Sequence, residues 1–213
     1  MCSPTSPQLR PVVCIPEYSS GPQPTATLED VLITRELYNH WPKQLDVEAK
    51  RSELQNLADH RNDGVLEVMQ RLVDACLRMC KADTAALSVL TYLESNEPAF
   101  RWDAVAGSLA TYVGQTTPRK SSLCGTTLKR NSPQLFSRPG RHFHHLNNVT
   151  PTIVEALVVP IYLDNFALGT VWIVSHDKRQ KFDSADVDII NSLGSFVSSI
   201  LWTRVQHSCK FPQ

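Results

Sequence analysis

Two runs decide the fold: EALVVPIYL at Glu155–Leu163 and ALGTVWIVSH at Ala167–His176. Both are strongly apolar and rich in β-branched residues, the composition of strands. Asp164-Asn165 between them is a hairpin turn signal. Pro160 inside the first run puts that strand at a sheet edge or at a bulge, because proline cannot donate to the ladder.

Upstream lies a second pair. Thr84–Glu94 (TAALSVLTYLE) is β-branched-rich, and Phe100–Leu109 (FRWDAVAGSL) alternates in hydropathy, with Glu97-Pro98 making the turn between them. Alternation places Trp102, Ala104 and Ala106 on one face of the second strand, and Trp172 and Val174 on one face of theirs. Residues 110–154 separate the two hairpins and differ in character, being rich in Gly, Pro, Thr, Ser, Arg and His. A segment of that length with few strong elements inside a compact domain usually carries function. A short helix is predicted near Cys124–Lys129 and a short strand at Pro133–Ser137.

Helices flank the strands. Asn62-Asp63-Gly64 opens one whose stripe is Val65, Val68, Met69, Leu72, Val73, Cys76 and Cys80, at period 3.6. The last begins at Phe182-Asp183, with Asp183 as cap and Phe182 stapled to Val187. Its stripe is Val187, Ile190, Leu193, Val197 and Leu201, widened by Ile189, Phe196 and Ile200. Further upstream, Thr27 caps a helix of about three turns ended by Pro42. Lys43–Asp59 reads either as a thin-striped connecting helix leaning on a partner, with Asp46 and Lys50 as an exposed i,i+4 pair, or as a solvated linker. Residues 1–27 hold six of the 14 prolines and read as a disordered tail. The order helix–helix–β–β–irregular–β–β–helix is that of an α+β domain. The division expected is tail 1–27, short and connecting helices 28–61, domain 62–203 and C-terminal tail 204–213.

Composition narrows the function. The 213 residues are 42% hydrophobic and 20% charged, with 21 basic and 21 acidic side chains and no net charge. That balance speaks against a protein built for nucleic-acid phosphates or acidic membrane surfaces. The uncharged run Ile189–Thr203 is 15 residues long, short of a membrane span, and no signal pattern opens the chain, so a cytoplasmic protein is expected. Its six cysteines are then reduced.

The words TLEDVLITREL (27–37), FRWDAVAG (100–107), TTPRKSSLCGTTLKRNSPQLFSRPGRHF (116–143), PTIVEALVVPIY (151–162) and LGTVWIVSHDKRQKFDSADVDII (168–190), in that order, resemble the GAF domain. This is a small sensory α+β module of PAS-like architecture. The likeness is greatest to the N-terminal GAF module of bacterial sensor histidine kinases. The resemblance implies a central antiparallel sheet with helices on one face and a ligand pocket on the other, roofed by 110–154. Gly is only eight in total and no phosphate-cradling loop appears, so kinase activity is not implied. A non-enzymatic, stand-alone sensor is expected. Its ligand would be an unidentified small molecule, its assembly a homodimer, and its output a signalling partner acting in trans, as in two-component systems. The alternatives are a ligand-free docking or dimerisation module, and a thiol redox sensor or sulfoxide reductase using Cys124.

The candidate ligand-binding residues are Trp102, Cys124, Thr126, Phe136, Arg141, His142, Glu155 and Trp172. Cys124, in SSLCGTTL, is either a reactive thiol at a helix start or a buried one. It lacks the second and third roof cysteines of the GAF-type methionine sulfoxide reductases. Covalent bilin is not expected, since no cysteine adjoins a histidine in the roof. His142, His144 and His145 in RHFHH have no acidic or cysteine ligand close in sequence, so metal or haem is not expected either. The cofactor stays unassigned. Which sheet face lines the pocket is open at this point.

Overall fold

A computed structural model of the chain describes residues 13–14, 25–39, 41–163, 166–178 and 181–208, with side chains for all but 13, 14, 163 and 200–208. Among the described residues seven strands form one sheet: β1 (Val13–Cys14), β2 (Thr84–Tyr92), β3 (Pro98–Gly107), β4 (Gln115–Pro118), β5 (Gln134–Ser137), β6 (Glu155–Leu163) and β7 (Phe166–Ser175), in the order β1-β4-β3-β2-β7-β6-β5. All neighbours are antiparallel except β1, which runs parallel to β4. The two hairpins read from sequence thus supply the four central strands, and the short strand expected at Pro133–Ser137 is β5 at one end. The predicted turn Asp164-Asn165 lies outside the described residues. Pro160 satisfies both expectations: β5 pairs β6 only as far as Val158, and the register slips between Ile161 and Tyr162.

Among the described residues five α-helices complete the fold: α1 (Leu28–Val31), α2 (Val47–Asp59), α3 (Val65–Met79), α4 (Leu123–Arg130) and α5 (Ser184–Ser208). The expected three-turn helix after Thr27 is a single turn. Thr27 and Asp30 cap each other, but Leu32 then bridges to Phe136 and the Ile33 N–H donates to the Leu135 carbonyl at 2.8 Å. The chain is drawn onto the free edge of β5, and a 3₁₀ turn at Thr34–Tyr38 follows. Edge pairing outweighs the helical pattern there. The segment 43–59 contains a helix, α2, and Asp46 is its cap, accepting from the Ala49 N–H at 2.9 Å. Glu67 accepts from the Gly64 N–H at the start of α3. Val65, expected on the buried stripe, is 40% exposed, because it stands in the first turn before the helix meets the sheet.

The sheet separates two apolar layers. On one face α3 and α5 pack through Leu72, Cys76, Ile190 and Leu193 onto Leu87, Leu157 and Ile173. On the other, Phe100, Trp102, Trp172 and Val174 meet the 110–154 segment, together with Ala26 and Val31 from the N-terminal stretch. The expected common face for Trp102, Ala104 and Ala106 is corrected. Trp102 faces the roof while Ala104 and Ala106 face the helices. The cause is a β-bulge: Leu87 pairs with Ala104 but Ser88 with Trp102, so Asp103 has no partner across the ladder and the alternation shifts by one.

Asp183 caps α5, accepting from the N–H groups of Ala185 and Asp186, and Phe182 and Val187 are both buried beside it. The stretch ahead of α2 is tied to this point. The Lys43 N–H donates to Asp183 at 3.0 Å, and Lys43 Nζ lies 2.9 Å from the buried Asp186 carboxylate. No described helix is long and apolar enough to cross a membrane.

Candidate functional site

The roof is held by short, strongly specified pieces. Ser122 caps α4, its hydroxyl accepting from the Gly125 N–H at 3.1 Å. Gly125 is required, because a Cβ there would sit 1.7 Å from the Arg119 carbonyl oxygen. Asn131 ends α4 in the left-handed region. Tyr112 ties the two ends of the roof together: its hydroxyl accepts from the Thr150 N–H at 3.1 Å.

Beneath the roof is a small cavity, about 20 Å³ where it is enclosed and about 350 Å³ with its open mouth. The enclosed part therefore holds one or two waters. Trp102 from β3 and Trp172 from β7 form its floor, edge to face with centroids 4.9 Å apart. The Trp172 indole N–H is satisfied by the Ser88 hydroxyl at 2.8 Å. Leu123, Leu146, Ile153 and Val174 supply further apolar wall.

Four polar side chains reach this wall: Thr117, Ser122, Cys124 and His145. Thr117 is 3% exposed and its hydroxyl has no hydrogen-bond partner. Burial lowers the His145 pKa to about 4, helped by the neighbouring His144, so the ring is neutral near pH 7. Burial raises the Cys124 thiol to about 11, although the Thr170 and Ser88 hydroxyls beside it pull the other way. None of the lining residues is Asp, Glu, Lys or Arg. Among the described residues no three His, Cys, Asp or Glu side chains gather as a metal-ligating set.

A sheet with helices on one face and a roofed, aromatic-floored cavity on the other is a known arrangement, and the chain matches it in sequence. The model of the GAF domain family matches residues 63–201. The chain belongs to the GAF domain family. No curated protein matches it. Its fold is similar to that of the GAF domain of an Acinetobacter phosphoenolpyruvate-protein phosphotransferase, at TM-score 0.63 and 16% identity over 80% of this chain and 99% of that one. It is also similar to the free methionine-R-sulfoxide reductase of Neisseria meningitidis solved with its substrate (0.60, 13%, 79% and 97%). A third similar structure is the phycoerythrobilin-bound GAF domain of a cyanobacterial phytochrome (0.56, 9%, 74% and 97%).

Of the eight candidate residues, this GAF cavity brings together Trp102, Cys124 and Trp172. The other five stand elsewhere. Thr126 turns its hydroxyl back to the Ser122 carbonyl. Phe136, within β5, is fully buried against Phe143. Arg141 is exposed, and its carbonyl accepts from Thr25. His142 lies 3.1 Å through Nδ1 from the Ala26 carbonyl, holding the N-terminal stretch to the roof. Glu155 is fully buried at the end of β6, bound by Lys181 at 2.7 Å and by the Phe182 N–H at 2.8 Å, where it braces the entry to α5. Thr117 and His145 line the cavity and are absent from the sequence-derived set. Thr117 belongs to β4, a four-residue strand with no pattern to announce it. His145 stands in the RHFHH word, where metal ligation is the first question a sequence raises.

Proposed function

We propose that this GAF domain is a sensory or regulatory module that binds a small molecule between roof and sheet and passes the change to its terminal helices. The observation that carries the reading is Thr117: a buried hydroxyl with no partner, facing a tryptophan-floored cavity. An unsatisfied buried polar group costs free energy and usually marks a function or a missing partner. A route outward exists. Cys124 of the roof touches Ser88 and Thr170 on β2 and β7, and the alternate residues Leu87 and Val171 of those strands pack against α3 and α5 on the far face. A ligand that moves α4 would bias the two helices through strands one residue thick. In this reading the helices act in a homodimer on a signalling partner in trans.

That two proteins of similar fold hold a bilin and a substrate supports a small-molecule role for this one, at 9% and 13% identity. A native mass spectrum of the purified protein tests the proposal. A co-purified small-molecule mass that disappears on substituting Trp102→Ala is the expected result. An apo species throughout, dimeric or not, would turn the reading toward a docking module whose cavity is filled by its own aromatics.

A further inference from the structure

We infer that residues 25–39 and 41–43 form a strap that docks and releases as one unit, and so couples the roof to the head of α5 around the edge of the sheet. Its use as a signal rests on the sensory reading above, whereas the coupling itself needs no ligand. The strap changes sides. Ala26 and Val31 are buried in the roof-side layer, while Leu37 is buried in the helix-side layer with Ile33 packed against it. Between these anchors the chain rounds the outer edge of β5. The Ile33 N–H donates to the Leu135 carbonyl at 2.8 Å, and the Leu135 N–H donates to the Thr34 hydroxyl at 3.2 Å. That hydroxyl donates in turn to the side-chain oxygen of the buried Gln134 at 3.1 Å. A side chain thus stands where a longer strand would offer a carbonyl.

Each end of the strap is tied to a different part of the molecule. At the roof, the Thr25 hydroxyl donates to the Arg141 carbonyl at 3.4 Å, and His142 Nδ1 lies 3.1 Å from the Ala26 carbonyl. A carbonyl only accepts, so that ring nitrogen carries the proton. His142 stands edge-on to Phe143 with centroids 4.7 Å apart, and Phe143 meets Phe136 and His145. His145 lines the cavity. At the other end, the Lys43 N–H donates to Asp183, the cap of α5. Lys43 Nζ binds Asp186 and lies 5.8 Å from the centre of the Phe182 ring. A shift of the 142–145 turn therefore acts on one end of the strap, and the other end holds the first turn of α5.

The middle of the strap makes it a two-position element. Its edge contact is one bridge, Leu32 to Phe136, plus the Thr34 hydroxyl. Thr34 also opens the 3₁₀ turn that carries Leu37, so losing the edge contact unseats the helix-side anchor as well. Pairing this sparse sits at the low end of local stability, while the fully buried Val31 and Leu37 keep the docked position dominant. An element whose two positions are biased from both ends is the physical requirement for coupling.

Amide hydrogen exchange of the full-length protein, followed by NMR without any ligand, tests the coupling with His142→Ala. The reporters are the amides of Ile33 and Lys43, whose acceptors are Leu135 and Asp183. Amides of the central strands β2 and β7 serve as reference. Cutting the Ala26 tie should speed exchange at both reporters by about five-fold, the equivalent of one hydrogen bond, and leave the reference unchanged. His142→Gln keeps a donor at that position and should restore most of the protection. An unchanged Lys43 amide in His142→Ala, whatever Ile33 does, would overturn the coupling. Equal acceleration of the reference strands would overturn it too, because the strap would then open only with the whole fold. His142→Gln exchanging as fast as His142→Ala would overturn the tie through Ala26. Each of these failures leaves the small-molecule reading standing, which the native mass spectrum decides separately.

Discussion

The Trp172 indole N–H donates to the Ser88 hydroxyl across 2.8 Å, joining the neighbouring strands β7 and β2 beneath the roof. Both residues are buried, so the bond has no water to replace it. Ser88→Ala should lower stability by about 1–3 kcal/mol, the cost of leaving a buried donor unpaired. In a Trp172→Phe background the same substitution should cost far less. Urea unfolding of the four species closes the cycle, and equal losses in both backgrounds would refute the coupling.

Lys43 offers a second test. Its ammonium is half exposed, but the Asp186 carboxylate it meets is buried. Burial raises the Asp186 pKa, while the Lys43 contact and the Asp183 N–H oppose that rise; Asp183 and Cys80 are the other titratable groups facing it. Lys43→Met leaves the carboxylate uncompensated and should cost about 2 kcal/mol near neutral pH. The sign with acid follows from the raised pKa. The folded state holds the Asp186 proton more tightly than the unfolded chain, so acidification toward the ordinary carboxylate pKa favours folding, and more strongly in the variant. The gap between variant and parent should therefore narrow as the pH falls. A constant gap in denaturation experiments across that range would count against the ion pair.

His145 pulls the opposite way. Its pKa falls from 6.5 to about 4 on folding, so between those values the unfolded chain binds the proton that the folded one refuses. Stability is lost as pH drops through this window, by about 2 kcal/mol between about pH 7.5 and about pH 5. Comparing the parent with His145→Phe at both pH values isolates the term. The variant should lack that part of the slope, and parallel slopes would show that His145 is accessible to protons.

Cys124 was open in the sequence between a reactive and a buried thiol. A pKa pushed up to about 11 leaves almost no thiolate near neutrality. Mild peroxide followed by intact mass and peptide mapping should find Cys124 unmodified. Its oxidation ahead of other cysteines would revive the redox-sensor reading.

Strand and helix order were legible because the longest elements carry strong periodicity: Val65–Met79, the two hairpins, and the Phe182–Asp183 start of α5 all stand within a few residues of their reading. What escaped has identifiable causes. One extra residue at Asp103 reverses the facing of β3, and a bulge has no signature in alternating hydropathy. Strand β4 is four residues long, below the length at which alternation says anything. The helical pattern after Thr27 lost to an edge contact with Leu135 and Phe136, about a hundred residues away in sequence. The site was half legible for the same reason. Trp102, Cys124 and Trp172 sit in strong words of the sequence, whereas Thr117 becomes notable only once its hydroxyl is seen to lack a partner.

The N-terminal stretch reaches the rest of the molecule at several points, three of them being Ala26 against His142 on the roof, Leu32 and Ile33 along β5, and Lys43 at the head of α5. All three precede residue 63, where the match to the GAF family begins. The inherited module and the cooperative folding unit thus have different borders. A fragment trimmed to 63–201 would expose the edge of β5, strand the Asp186 charge and loosen one side of the roof in a single cut. Dissections of this protein by family boundary would read those losses as properties of the domain, when they belong to the cut.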